Sequence, residues 1–189
     1  IDSFKNSSPL VIKRLLEMND YVKCKVSENL HLIKGDLRSS KDLEKVFMDA
    51  MEDGNEIKSV IHLAGLKSVK ESIKEPISYW DFNLTGTINL LKIMNHFSCR
   101  TLIFSSSATI YSYSQEKLLN ENSFIKPINP YGRTKETIEV FLKDIYSSYP
   151  DKWRIVNLRY FNPIGAHFSG KLGENPIGKP NNIFPLILK

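Results

Sequence analysis

Tyr131 and Lys135 lie four residues apart in Tyr131-Gly132-Arg133-Thr134-Lys135, directly after Pro130. Residues i and i+4 share one helix face, so a helical run brings the ammonium of Lys135 near the phenol oxygen of Tyr131. The chemistry this permits is proton abstraction. A free phenol has a pKa of about 10, too high for a base at neutral pH, and a neighbouring cation stabilises the phenolate and lowers it. On spacing alone the plainer reading, a surface helix with an aromatic and a lysine, is the better one. Context changes the balance. Some two dozen residues upstream stands Phe104-Ser105-Ser106-Ser107-Ala108-Thr109, where a hydroxyl could bridge a substrate alcohol and the phenol. In open α/β sheets strand carboxyl ends face the ligand crevice, so Ser107 and Tyr131 can converge. The alternative is that Ser and Thr are simply common after strands, as caps. The three residue types together favour catalysis.

Other candidates surround this group. Ala64-Gly65, after Val60-Ile61-His62-Leu63, is a small pair where backbone can approach a ligand closely, with Lys67 within one turn. A tight strand-to-helix turn explains the pair equally well. His62 sits inside an apolar strand and reads as a satisfied core histidine. His31, His96 and His167 show no ligand spacing with Cys, Asp or Glu, so no metal is expected. Asp2 is the type of residue that accepts hydrogen bonds from an adenosine ribose. The glycine-rich phosphate turn that accompanies it would lie roughly 20 residues earlier, outside these residues. An Asp near a terminus is otherwise simply solvated.

Short apolar runs alternate with segments of helical period, the pattern of βαβ units around a parallel sheet. Strands are expected at Leu30–Ile33, Ile57–Leu63, Thr101–Phe104 and Ile155–Leu158. A helix capped by Ser39 or Ser40 carries Leu43, Val46, Phe47 and Ala50, and is closed by Gly54-Asn55. Val69–Ile73 predicts a helical turn, Pro76 opens a long helix through Leu84, Ile88, Leu91 and Met94, and Tyr131–Ser147 forms another. The serines 105 to 107 do not suit a sheet interior, because buried hydroxyls need partners, so this strand end is expected to open onto a ligand. The loop-rich stretch after Asn162 is long enough to be functional.

Composition narrows the class. The chain has 189 residues, 41% hydrophobic and 25% charged, which is ordinary globular composition. No apolar run approaches the roughly 18 to 20 residues of a membrane span, so a soluble chain is expected. The net charge of +5 favours anionic small molecules, but the lysines are interleaved with acids, which does not point to nucleic acid. The two cysteines, Cys24 and Cys99, suit a reducing, cytoplasmic compartment and read as buried filler. The chain opens on Ile1-Asp2 without signal-peptide features and stops inside the apolar, helix-like run ending at Lys189. It reads as an internal fragment cut at both ends.

Asp2, Gly35-Asp36-Leu37, His62 to Lys67, Asn83-Leu84-Thr85-Gly86-Thr87, Phe104 to Tyr111, Pro130 to Lys135 and Arg159 to Pro163 closely resemble the UDP-glucose 4-epimerase family of extended short-chain dehydrogenases/reductases. The resemblance runs through nearly the whole chain. Ala64-Gly65-Leu66-Lys67, Arg159-Tyr160-Phe161-Asn162-Pro163 and Pro180-Asn181-Asn182 favour the epimerases over their relatives. It implies a Rossmann-like, doubly wound α/β parallel sheet, incomplete at the N-terminus. Residues 1–160 would be a partial NAD-binding domain and 161–189 the start of a smaller nucleotide-sugar-binding region.

Residue by residue, the resemblance implies that Asp2, Asn6 and Ser7 hold the adenosine side of NAD, and that Asp36 and Leu37 border the adenine. Leu63, Ala64, Gly65, Lys67 and Asn83 line the pyrophosphate and ribose region. Ser107 and Tyr131 meet the sugar hydroxyl, Lys135 the nicotinamide ribose, and Tyr160 and Phe161 the nicotinamide side. Asn162 and Asn182 contact the nucleotide sugar, with Lys67 also on the substrate side. The implied reaction is NAD-dependent interconversion of UDP-galactose and UDP-glucose, with Tyr131 as the base; the positively charged nicotinamide would add to the effect of Lys135 on the phenol. A homodimer, and a place in galactose metabolism, are implied by the same resemblance. Ser3, Arg133-Thr134 and Ser112-Tyr113 depart from the family pattern without removing a catalytic group. The chain also lacks the glycine-rich turn, so by itself it is expected neither to retain NAD nor to turn over. A 4,6-dehydratase would need an acid pair where Ala108-Thr109 stands. Epimerases of N-acetylated or uronic sugars, and a non-catalytic NAD-binding regulator, remain the other readings.

Overall fold

Parallel pairing of three short β-rich runs organises the molecule. The computed structural model describes residues 1–18, 30–111, 118–174 and 186–187. These fall into two compact units, residues 36–161 and residues 1–35 with 162–189. In the first, β1 (Val60–His62), β2 (Thr101–Ser107) and β3 (Arg154–Tyr160) form a parallel sheet in the order β1-β2-β3. Register sets Val60 beside Leu102 and Leu102 beside Ile155.

Side chains alternate across a strand, so Leu102 and Phe104 point to one face, where both are fully buried. Leu43 and Phe47, Leu90, Leu91 and Met94, and Ile138 and Leu142 cover them, with Cys99 and Trp153 completing the cluster. Each fully buried side chain of this size contributes about 1.5–3 kcal/mol. Cys99 is thus filler, as expected; Cys24 lies outside the described residues. On the other face Ile61 and Val156 are exposed.

Helix α1 (Leu10–Leu16) lies in the second unit, and the helices described next lie in the first. Helix α2 (Ser40–Glu52) is capped by Ser39, whose hydroxyl accepts from the Asp42 N–H, and Gly54 follows it with φ +72°. Then come α3 (Val69–Lys74), α4 (Pro76–Tyr79), a π-helical turn (Trp80–Thr85) and α5 (Gly86–His96). The long helix expected from Pro76 is therefore interrupted at its middle. Such π turns are rare and cluster at functional sites. A 3₁₀ turn (Ala108–Ile110) follows β2, and α6 (Pro130–Ser148) crosses to β3.

Two expectations need correction. Residues 30–33 form no strand ladder; among the described residues the only pairing nearby is one parallel bridge, Asp2 with Lys34. A ladder needs several consecutive partners, and among the described residues only the Asp2–Lys34 pair is bridged here. The three serines also lie inside β2 rather than beyond it, with Ser105, Ser106 and Ser107 paired to Leu158, Arg159 and Tyr160. The backbone ladder satisfies their main chain, while the buried Ser106 hydroxyl has no hydrogen-bond partner among the described residues.

Candidate active site

Ser107 ends β2 and caps the 3₁₀ turn. Its Oγ accepts from the Thr109 N–H at 3.2 Å and from the Thr109 hydroxyl at 2.9 Å. A hydroxyl has one proton to give, and with both contacts used as acceptor, that proton is left for the Tyr131 phenol, whose pKa Ser107 pulls down. The turn at Ala108-Thr109 thereby orients Ser107 as a donor. No carboxylate stands at these two positions.

Tyr131 is delivered by the first turn of α6. Pro130 occupies the opening position, where its missing N–H costs nothing, and the Asn129 side chain accepts from the Gly132 N–H at 2.8 Å. Gly132 has to be a glycine because a Cβ there would sit 2.6 Å from the Thr109 carbonyl oxygen and 2.9 Å from Pro127. That close approach presses α6 onto the Ser107 turn. The Tyr131 ring meets Tyr79 edge to face, at 6.4 Å between centroids.

One turn on, Lys135 is 4% exposed. Its ammonium donates to the Ser105 carbonyl at 2.7 Å and lies 4.7 Å from the Phe104 ring centre and 5.9 Å from that of Tyr131. Tyr131 and Lys135 thus share one face of α6, with Ser107 at the adjoining end of β2. Burial, which disfavours the charged form, pushes the Lys135 pKa down to about 8. Burial holds Tyr131 above the ordinary phenol value, and the Ser107 hydroxyl pulls it down. The Lys135 ammonium is anchored by the Ser105 carbonyl.

His62 is a satisfied core histidine. Its Nε2 contacts the Thr87 hydroxyl at 2.8 Å, and that hydroxyl donates to the Asn83 carbonyl at 2.6 Å. Thr87 has no second proton, so His62 donates from Nε2, and the depressed pKa keeps the ring neutral near pH 7. Burial first, and then the nearby Lys135 charge, push its pKa down to about 3.

The loop after β1 is built around Gly65 and Asn83. Gly65 has φ +147°, and a Cβ there would lie 2.9 Å from the Asn83 Oδ1. Asn83, buried in the π turn, accepts from the Leu66 N–H at 2.8 Å and donates to the Leu66 carbonyl and the Thr134 hydroxyl, each at 3.1 Å. It ties the loop to α6 between Tyr131 and Lys135. Leu63, 65% exposed, Ala64 and Lys67 lie open on this loop.

Asp36 and Leu37 precede α2. Arg38 grips the Asp36 carboxylate through Nε and Nη2, reaches Asp81 at 2.7 Å, and stacks 3.5 Å over the Phe82 ring. Leu37 packs where a Cβ on Gly86 would come to 3.1 Å. Tyr160, the last residue of β3, and Phe161 just beyond it are exposed, Phe161 stacking on Tyr111 at 6.5 Å. In the other unit the Asp2 carboxylate accepts from the Phe4 N–H at 2.7 Å and the Ser7 hydroxyl at 2.8 Å. Asn6 lies in the same turn and Asn162 is exposed; Asn182 lies outside the described residues. Sequence reasoning missed Thr134, Thr87, Arg38 and the Glu139–Arg159 pair. For Glu139 the i+4 step from Lys135 was an available signal.

Known proteins share this architecture. The family described as GDP-mannose 4,6 dehydratase matches residues 2–187. A protein of Pisum sativum described as a bifunctional UDP-glucose 4-epimerase and UDP-xylose 4-epimerase is 47% identical over 187 residues, 99% of this chain and 51% of its own length. The crystal structure of UDP-glucose 4-epimerase from Bifidobacterium longum in complex with NAD+ and UDP has a TM-score of 0.87 and 41% identity, covering 98% of this chain and 52% of that one. The UDP-glucose-4-epimerase of Stenotrophomonas maltophila, with bound NAD and formylated UDP-arabinopyranose, has a TM-score of 0.87 and 35% identity, with coverage of 98% and 52%. The chain thus spans about half the length of these relatives, and the Rossmann-like α/β architecture expected from its sequence is the one they share with it.

Proposed function

The chain belongs to the family described as GDP-mannose 4,6 dehydratase, and from that membership we propose that it forms part of an NAD-dependent UDP-sugar 4-epimerase interconverting UDP-galactose and UDP-glucose. The observation that carries this reading is the meeting of Ser107, Tyr131 and Lys135 at the end of β2. The names of the relatives support it. The lack of an acid at Ala108 or Thr109 weighs against dehydration, which needs a proton donor for the leaving hydroxyl.

The residues present fit NAD. Lys135 carries three N–H bonds and, among the described residues, gives one of them to Ser105, which leaves donors suited to ribose hydroxyls. Leu63, Tyr160 and Phe161 offer exposed apolar surface at the strand ends, suited to a flat ring. Asp36 and Leu37 would border the adenine, and Asp2, Asn6 and Ser7 its ribose; Ala64, Gly65, Lys67 and Asn83 would line the pyrophosphate and ribose. NAD, when bound, supplies a hydride acceptor and donor at sugar C4. Tyr131 as phenolate takes the proton of the 4-hydroxyl and returns it to the same oxygen once the 4-keto sugar has turned its other face toward the hydride donor. Ser107 donates to the phenolate and guides the alcohol to it. Lys135 holds the ribose and contributes positive charge, while Lys67, Asn162 and Asn182 would hold the nucleotide sugar loosely enough for it to turn over.

The expected division into residues 1–160 and 161–189, the homodimer, the cytoplasmic setting and the inactivity of these 189 residues alone are parts of the same proposal. The test is the full-length parent and its Tyr131→Phe variant, assayed for conversion of UDP-galactose to UDP-glucose. Loss of at least a thousandfold is expected; activity kept within a few-fold refutes the assignment. A second reading, a wider UDP-sugar range, is favoured by the bifunctional Pisum relative and predicts turnover of UDP-xylose by the same parent.

A further inference from the structure

Lys135 and Glu139 are one turn apart on α6, so the buried ammonium has a buried carboxylate as its helical neighbour. The ammonium nevertheless turns to the Ser105 carbonyl. Arg159 of β3 takes Glu139 instead, with Nε 3.0 Å from Oε1 and Nη2 2.7 Å from Oε2. Its remaining nitrogen, Nη1, donates to the Tyr111 hydroxyl and the Glu121 carbonyl, each at 2.9 Å. The guanidinium thus joins β3, α6 and the segment after the 3₁₀ turn, and it immediately precedes Tyr160 and Phe161.

We propose that Arg159 is a positioning residue that keeps the Glu139 carboxylate from capturing Lys135, so that the ammonium stays beside Tyr131. The inference rests on Tyr131 and Lys135 being the reacting pair. The other groups facing Lys135 cannot substitute for this control: His62 from β1 is neutral, β2 presents the Ser105 carbonyl and the Phe104 ring, and Tyr131 on α6 is itself the group being served. With Arg159 neutralised, the bare carboxylate of Glu139 would draw the ammonium down the helix and oppose a phenolate one turn further. With Glu139 neutralised, Arg159 would become an extra cation near the pair and favour the phenolate.

The two substitutions therefore push in opposite directions, which a purely structural role does not require. In the full-length parent, Arg159→Met should move the acid limb of the kcat/KM–pH profile up by about one pH unit and lower kcat at neutral pH about tenfold. Glu139→Gln should move the limb down. The double variant should recover most of the Arg159→Met displacement. Limbs that stay put, shift the same way, or stay displaced in the double variant overturn the proposal. Should Arg159→Met fail to fold, as read by urea melts, the sign of the Glu139→Gln shift decides. Tyr131→Phe, run alongside, separates the two failures: if it is active the base assignment falls, and if it is inactive while the limbs do not move, only the role of Arg159 falls.

Discussion

Replacing Ser107 with alanine tests the electrostatics most directly. Burial raises the Tyr131 pKa, and the Ser107 hydrogen bond is the influence that lowers it. A hydrogen bond to a charged group contributes about 1.5–3 kcal/mol. At 1.36 kcal/mol per decade, its loss reduces the phenolate population about 10- to 150-fold wherever the phenol is mostly protonated. The activity of Ser107→Ala in the full-length parent should therefore fall by that factor near neutrality. The loss should shrink as pH rises, because alkali restores the phenolate without help. Recovery should then stall above the Lys135 pKa, pushed down to about 8, where the cation discharges. The assay is the pH dependence of kcat for UDP-galactose conversion, with near-ultraviolet circular dichroism confirming an unchanged fold. A loss constant across pH, or a limb that does not move to more alkaline values, would refute the claim that Ser107 works through the phenol.

The same geometry fixes other outcomes. Gly132→Ala places a Cβ 2.6 Å from a backbone oxygen that cannot move aside cheaply, and should cost about 1–3 kcal/mol in a urea melt. Asn83→Leu strands the Leu66 N–H and carbonyl, each loss costing about 1–3 kcal/mol, and should lower Tm and loosen the Gly65 loop to proteolysis. Lys135→Met should raise the apparent Kd for NAD and move the acid limb alkaline; a weakened Kd with an unmoved limb would separate its two roles. For His62 the folded pKa is depressed to about 3, so between there and the unfolded value of about 6.5 the unfolded chain binds the extra proton and stability rises with pH. Stability should fall as pH drops from 6.5, by up to about 1.4 kcal/mol per unit, and His62→Gln, which keeps a donor without titrating, should flatten that slope.

The i, i+4 spacing of Tyr131 and Lys135 and the proline at the helix start were legible in sequence because helix periodicity and the preference for proline in the first turn are local. So were the helices of residues 40–52 and 130–148, whose apolar stripes and caps lie within a few residues of one another. The centre of the long helix from Pro76 was not, since a π turn leaves the hydrophobic pattern almost unchanged and is held by Asn83 reaching Leu66 and Thr134 far away in the chain. The same limit applied to residues 30–33, where apolar alternation announced a strand but pairing depends on a partner elsewhere. Sequence by itself determined which residue types were available to act as base, donor and cation, and at what helical spacing. Only the tertiary structure decided that Ser107 pulls the phenol toward ionisation, that the Lys135 ammonium is anchored on the Ser105 carbonyl, and that Arg159 claims Glu139. Burial and hydrogen-bond competition are set by chain segments that meet across the fold, and no local pattern encodes which of two neighbours a buried charge will choose.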